Sequence, residues 1–407
     1  MDLYPATREA ALGRLNDFLA DAPQYAARRN HVVPGHPHVS RLSAALRHRL
    51  VSEQEVVEAT LQRHPFRAVE KFLQEVLWRG YWRGWLERRP QVWDRAVEEA
   101  ARLEATLSPD ARRSAQAALE GRSGEPLMDI FARELLDTGY LHNHARMWWA
   151  SYWVHHLGLP WAIGAQHFAR HLLDFDAASN TLSWRWVAGL QTPGKTYMVT
   201  AENLRRYCAP ELLAQAGHIG LKGATSARAQ TEPESPAPRT PGPTAPAPRT
   251  AARLSARSVV ILHDEDLCLE LSPLSGARPR AVAHLAPAAA SDSAAPRAAW
   301  LERARADAAA RAAAHFGCPV HRCDSLDAVL SVCDAAEADS LAMMAPAIGP
   351  LRDALRGLDA QAAARDIQVV AVTRAWDSAL APYATRGFFP FWAEVGPRLE
   401  KTGSLGA

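Results

Sequence analysis

The sequence predicts two units of different fold class: an all-α first half, then a smaller α/β unit built on a parallel, Rossmann-like sheet. Three observations predict this. From residue 7 to about residue 210, apolar positions recur at three- and four-residue spacing behind capping residues such as Thr7. Residues 222–256 are then dominated by Pro, Ala, Thr, Ser and Arg, a composition that cannot pack a core and reads as a linker. Beyond it, short runs of Val, Ile and Leu alternate with helical stretches, the pattern of a parallel sheet with helices on its faces. The expected division is 1–221, 222–256 and 257–407.

In chain order, Thr7 can cap a helix over 7–20, with Ala11, Leu12, Leu15, Phe18 and Leu19 on one stripe. A loop rich in Pro, Gly and His follows, and Ser40 sits where the next helix should begin, a plain N-cap when taken alone. Helices are expected over 52–63 and 66–88. On the second, Glu75, Trp78 and Trp82 share a face; a carboxylate among indoles needs a partner or a raised pKa. Arg79, Arg83, Arg88 and Arg89 fit either a phosphate-binding surface or a solvated face. The Ala-, Glu- and Arg-rich residues 94–120 read as helical scaffold. Helices over 125–138, 140–157 and 161–173 complete the half, with Pro126 in a first turn. In the second unit strands are expected at 258–263, 281–285, 319–321 and 367–372, with helices at 297–315, 325–336 and 347–358. Near the end Phe388, Phe389, Phe391 and Trp392 form an apolar cluster that should dock one unit on the other.

Bulk properties restrict the function. The 407 residues are 48% hydrophobic and 22% charged, which is ordinary for a globular protein. A formal charge of +2 does not announce a nucleic-acid binder, although a local basic face fits inside a balanced total. Five cysteines without framework spacing point to the reducing cytoplasm. Cys318 and Cys323 have His315 and His321 nearby, but buried thiols around a strand are the better reading than a metal site. No apolar run approaches a membrane span and no secretion signal is visible, so a cytoplasmic monomer is expected.

Two short stretches stand out chemically: Thr138 to Met147 and Leu172 to Trp186. Each mixes acid, amide, guanidinium and indole groups where a plain core would use Leu, Val and Ile. A buried polar group without a partner costs on the order of 1–3 kcal/mol, so the mixture suggests a bound polar aromatic ligand. Ten of the thirteen tryptophans lie between Trp78 and Trp186, a concentration that suits a stacking or redox site. Gly189 to Thr196 fits G-x-x-x-x-G-K-[ST] letter for letter, yet a P-loop needs a strand before it and a helix after it. We therefore read it as a loop and keep an NTPase as a minor alternative.

The same stretches resemble the flavin-binding domain of the photolyase/cryptochrome superfamily, whose signatures run roughly TGYMHNRLRM and DGDLASNNGGWQW. Ser40-Arg41-Leu42-Ser43 resembles the family's TSRLS, Glu75 to Arg83 its ELxWREFYR, and Ser123 to Asp129 its TGYPIVD. Five collinear motifs over about residues 20–210 make the resemblance specific. Val260 to Leu267 faintly resembles the first strand of the family's antenna domain. With the α/β unit second, the order is similar to that of a bacterial branch with inverted domains, sometimes called NewPHL, in which that unit covers the flavin site.

The resemblance implies an FAD-dependent enzyme acting on UV-damaged DNA, splitting cyclobutane pyrimidine dimers and favouring single strands. It implies that Tyr25, Ser40, Arg41, Leu42 and Ser43 hold the cofactor's phosphates and ribityl chain. Arg146 and Asp174 would pair beside the isoalloxazine, Asp176 would bond its polar edge, and Asn180 would face N5. Glu75, Trp78, Asn143 and Trp186 would bind the flipped lesion. Trp184 and Trp161 would be the first two members of an electron relay. No Trp lies between Trp93 and Trp148, where the third falls, so the relay is shortened or rerouted through Trp93 or Trp153. His142 and His144 flank Asn143, where enzymes acting on 6-4 lesions carry a catalytic His, so that lesion stays open. The rival within the family is a blue-light photosensor without repair.

Overall fold

The structure, a computed structural model, describes residues 3–192, 195–221, 254–286 and 293–405. All but the last three residues of the expected linker lie outside these ranges. The first half is helical. α1 (Arg8–Leu19) starts behind Thr7, whose hydroxyl accepts from the Ala10 amide. After the single turn α2 (Tyr25–Arg28) and the short α3 (Ser43–Arg47), α4 (Glu53–Arg63) opens in a capping box between Ser52 and Glu55. α5 (Phe66–Glu87) is a 22-residue strut that buries Val69, Phe72, Leu73, Val76, Leu77, Tyr81 and Trp85.

The run expected over 94–120 is two helices, α6 (Gln91–Thr106) and α7 (Pro109–Leu119). Pro109 lacks an N–H to continue the first, while its fixed φ suits the first turn of the second behind the Ser108 cap. α8 (Pro126–Thr138) ends on Gly139 at φ 70°. α9 (Asn143–Ser151) runs into a π-type turn at Tyr152–His156. α10 (Trp161–His171), α11 (Ala177–Val187), α12 (Ala201–Tyr207) and α13 (Pro210–Ala216) follow.

The second unit is a five-stranded parallel sheet in the order β3-β2-β1-β4-β5. β1 (Ser258–His263), β2 (Ala281–Leu285), β3 (Val320–Cys323) and β5 (Gln368–Val372) fall where the sequence placed strands. β4 (Ser340–Met344) was not anticipated, because Ser-Leu-Ala-Met-Met carries no β-branched residue. α14 (Ala295–Phe316) and α15 (Leu326–Ala335) are the expected crossovers. The helix expected at 347–358 is instead α16 (Pro350–Ala354) and α17 (Leu358–Ala363), separated at Gly357 with φ 88°. α18 (Ala375–Leu380) and α19 (Phe388–Thr402) close the chain.

The two units share a core. One continuous apolar cluster joins α1, α4 and α5 to one face of the sheet (Val260, Leu262, Val282, Ala342), to α14 and to α19. A second cluster fills α8 to α11, and a third lies under the sheet's other face. Among the described residues, no helix is long and apolar enough to cross a membrane.

Charge also joins the units. The chain leaves β1 through Asp264, which is partly buried, and Glu265 and Asp266, which are buried; such carboxylates need cations. Asp264 pairs with Arg305 at 2.6 Å, Glu265 with Arg47 at 3.0 Å, and Asp266 with Arg374 at 2.8 Å and Arg49 at 3.6 Å. Arg47 and Arg49 come from the helical half, from α3 and the residues just after it.

Candidate active site

A cavity of about 960 Å³ opens where α5, α9, α11 and the loop before α3 meet the start of α19. It is large for a small-molecule pocket and suits an extended ligand plus a second group beside it.

α5 supplies one wall. Glu75 and Trp78 line the cavity together, as their spacing predicts. Glu75 is half-buried and paired, with Lys71 at 2.9 Å and Arg29 at 3.5 Å. Trp78 is not free to stack on both sides. Phe388 of α19 lies flat against it, ring centroids 3.8 Å apart and planes 10° apart. One face of Trp78 is thus taken by the protein itself, and Trp78 still lines the cavity. The four arginines of α5 and its end are neither a phosphate surface nor a solvated face. Arg79 pairs with Glu53 at 3.2 Å and Arg83 with Asp176 at 3.0 Å, while Arg88 and Arg89 donate to the Ala381 and Thr385 carbonyls.

α9 supplies the next groups. His142 caps the helix by accepting from the His144 amide. Burial pushes its imidazole down to about 3, with His36, His144 and Arg146 adding to the effect, so it is neutral at ordinary pH. Asn143 stands exposed on the cavity rim. Arg146 donates to the Leu141 carbonyl at 2.7 Å and to Asp174 at 2.8 Å, which builds the pair that the two signatures imply. Burial alone would raise the Asp174 carboxyl, but Arg146 and the Ser43 hydroxyl hold it below the usual range.

α11 begins inside the cavity. Asp176 is its N-cap, accepting from the Ser179 amide at 2.8 Å. Burial opposes its charge, yet Arg83, Arg47 and Arg79 together hold it far below an ordinary carboxyl. One turn on, Asn180 donates its amide to the Ala165 carbonyl at 2.9 Å, which fixes the side chain on the cavity wall. Trp184 is 2% exposed and meets Trp149 edge-on at 6.2 Å; Trp149 in turn stacks on Trp153 at 5.3 Å. Gly164 makes this possible: a Cβ there would sit 2.3 Å from the Trp184 ring. Trp186 lines the cavity with one face on Tyr197 at 5.6 Å. Trp161 is buried behind the wall, 5.9 Å from the Arg185 guanidinium, and does not line it.

The TSRLS-like loop is placed with one correction. Tyr25, Ser40, Arg41 and Ser43 line the cavity, but Leu42 is fully buried in the core. Nor is Ser40 the N-cap of α3, which starts at Ser43 without a side-chain cap; Arg41 before it turns the chain at φ 58°. The P-loop-like stretch fails its structural requirement. A helix, α11, precedes it, and Thr196 donates its hydroxyl to the Val187 carbonyl at 2.7 Å rather than facing a phosphate cradle. Its Pro193 and Gly194 lie outside the described residues. Among the described residues no group of three or more His, Cys, Asp or Glu is arranged to hold a metal ion.

The donor set fits a flavin dinucleotide. The Trp184 indole N–H and the Arg41 Nε are buried without a protein partner, and both belong to residues that line the cavity. The Arg146–Asp174 pair and the Asn180 amide offer both signs of hydrogen bond to a flat polar ring, and the Ser40–Ser43 loop brings a guanidinium and two hydroxyls for phosphates. Sequence reasoning missed Arg47 and Glu265 as site residues, and did not foresee that Arg83 pairs with Asp176 or that Phe388 covers Trp78. Three consecutive acids leaving an apolar strand were the available signal for Arg47 and Glu265, because such acids must find cations.

A family model described as the FAD binding domain of DNA photolyase matches residues 72–215. A deoxyribodipyrimidine photo-lyase of Agrobacterium fabrum is 31% identical over 191 residues, 46% of this chain and 39% of that protein. One from Thermus thermophilus is 34% identical over 190 residues, 46% and 44% of the two chains. The chain thus spans under half the length of these relatives. Among solved structures, a cryptochrome from Synechocystis covers 52% of this chain and 45% of its own at 23% identity and TM-score 0.44. A class III photolyase from Agrobacterium tumefaciens covers 52% and 50% at 25% identity and TM-score 0.41.

Proposed function

Residues 72–215 belong to the photolyase/cryptochrome superfamily and form an FAD-binding domain, and from that premise we propose that the chain is a light-dependent DNA repair enzyme. It splits cyclobutane pyrimidine dimers and favours single-stranded DNA. One observation carries the reading: the flavin-side residues Asp174, Asn180 and Trp184 and the lesion-side residues Glu75, Asn143 and Trp186 line the same hollow.

When bound, the flavin supplies light-driven one-electron chemistry. The chain's own groups do the rest. Ser40, Arg41, Ser43 and Tyr25 would hold the phosphate end, and the Arg146–Asp174 pair and Asp176 the ring. Asn180, tethered to Ala165, would keep a neutral amide at the ring nitrogen. Glu75, paired with Lys71 and Arg29, would accept a hydrogen bond from the extruded pyrimidines, with Asn143 and Trp186 beside it. Extrusion from the stack costs a few kcal/mol, least in single strands, and aromatic walls recover part of it. Electrons would reach the ring through Trp184, with Trp161 or the Trp149–Trp153 contact as the second step. We assign the chain to the inverted-order bacterial branch on its element order, with 1–221 as the catalytic unit and 257–407 as its cover, acting as a cytoplasmic monomer.

The photosensor is the alternative. It has no use for Glu75 and Asn143 on the cavity wall. Purified protein, a reductant and blue light, acting on an oligonucleotide with one cyclobutane dimer, separate the two. Light-dependent dimer loss supports repair, and its absence supports the sensor. Equal or faster repair in a duplex removes the single-strand preference.

A further inference from the structure

The apolar cluster at the start of α19 divides in a way its sequence does not suggest. Phe388, Phe391 and Trp392 are 3%, 0% and 8% exposed, docked on α5 as expected. Phe389 is 72% exposed, the most exposed large apolar side chain among the described residues. A lone exposed ring needs no explanation by itself, but this one is held rigidly and stands at a particular place.

The rigidity comes from the residues that lead into it. Tyr81 donates its hydroxyl to the Arg386 carbonyl at 2.7 Å, and Arg89 donates to the Thr385 carbonyl at 3.1 Å. Phe388 is clamped on Trp78. With Phe388 pinned inward on the first turn, the next residue is carried about 100° round the helix and must face out. The place is the cavity: Arg386, Phe388 and Phe389 all line it, although they belong to the second unit.

The surroundings are cationic. Arg386 and Lys195 are exposed on the same cavity, and among the described residues neither has a carboxylate partner. Glu75, the acid of α5 that lines the cavity, is already held by two cations, and Asp174 and Asp176 are paired within. A fixed aromatic face beside unpaired cations is what a single nucleic-acid strand meets in sequence-tolerant binding, with bases on the ring and phosphates on the charges.

Building on the repair reading above, we infer that Phe389 is a stacking platform for the nucleobase that flanks the extruded lesion, with Arg386 reaching the adjoining phosphate. The second unit thereby contributes directly to substrate binding. A base in a single strand is free to lie on the ring, whereas in a duplex it is already stacked, so the platform acts on single strands.

The test is dark binding of a single-stranded oligonucleotide bearing one dimer, with 2-aminopurine next to the lesion, to the flavin-loaded parent, F389A, F389W and R386A. Stacking on an aromatic side chain is worth roughly 1–3 kcal/mol per base, so F389A should bind about 5- to 150-fold more weakly and lose the 2-aminopurine quenching. F389W should bind within about threefold of the parent, and R386A should show a shallower salt dependence. An F389A protein that binds and quenches like the parent overturns the inference. So does one that loses as much affinity for a strand lacking the flanking base. In both cases a parent that splits dimers in light leaves the repair reading standing; a parent that splits none removes the two together.

Discussion

Arg47 of α3 and Glu265 at the end of β1 form a buried pair at 3.0 Å, each side chain 7% exposed. The same guanidinium donates to the Phe175 carbonyl at 2.6 Å and lies 3.9 Å from Asp176. A carboxylate of the sheet unit therefore fixes a cation that holds the entrance to the flavin signature. Removing one partner of such a pair leaves a buried charge uncompensated. Glu265→Ala should lower unfolding stability by about 3–5 kcal/mol in urea denaturation and reduce FAD retention on gel filtration. Glu265→Gln keeps an acceptor and should cost about half as much or less. Equal stability of the alanine variant would mean that the pair does not join the units.

Phe388 and Phe389 are neighbours in sequence with opposite environments. Phe388→Ala empties a packed site against Trp78, Tyr81 and Phe391 and should cost about 3–5 kcal/mol. Phe389→Ala should stay within about 0.5 kcal/mol of the parent. Urea midpoints of the two variants check this, and similar losses for both would contradict the packing described here.

Gly164 leaves room for the Trp184 ring, 2.3 Å from where a Cβ would be. Gly164→Ala should push the indole toward the cavity, cost about 1–3 kcal/mol, and lower the flavin-to-protein absorbance ratio. A fully flavin-loaded variant would show that Trp184 does not border the ring.

Acid should weaken the fold before the carboxylates protonate. Burial, first of all, lowers His48, His142 and His167 to about 3 and His284 to about 4. In the unfolded chain each imidazole takes its proton near 6.5, so from there down to those folded-state values the unfolded state binds more protons. Stability is then complete above about pH 7 and falls as the pH drops, by about 1 kcal/mol or more for each group by pH 5. Asp174, Asp176 and Glu265 have the opposite charge type and depressed values, so their contribution is kept until the pH falls below the ordinary carboxylate range. Urea midpoints between about pH 7.5 and 5 test this. A flat profile would mean that the imidazoles are charged in the fold.

Helix positions were readable where residues such as Thr7 and Pro126 announce them by local chemistry, whereas α11, capped by Asp176, was not among the expected helices. Four strands were readable from their apolar runs, but β4 carries no β-branched residue and is made a strand by β1 and β5 on either side of it. The pair Arg146–Asp174 was legible through collinear motifs. The partners of Asp176 were not, because Arg47 and Arg83 come from distant segments and meet only in the fold. The covering of Trp78 by Phe388 joins residues 310 positions apart, and no local pattern encodes such a contact.

The central claim is that one hollow holds a flavin and leaves room beside it for a damaged base. The most direct test is the absorption spectrum of the bound flavin, recorded in the dark before and after adding a single strand that carries one cyclobutane dimer. The purified chain should carry stoichiometric FAD, with flavin bands that shift with the damaged strand and not with its undamaged twin. A colourless protein, or a flavin spectrum indifferent to the lesion, would contradict it.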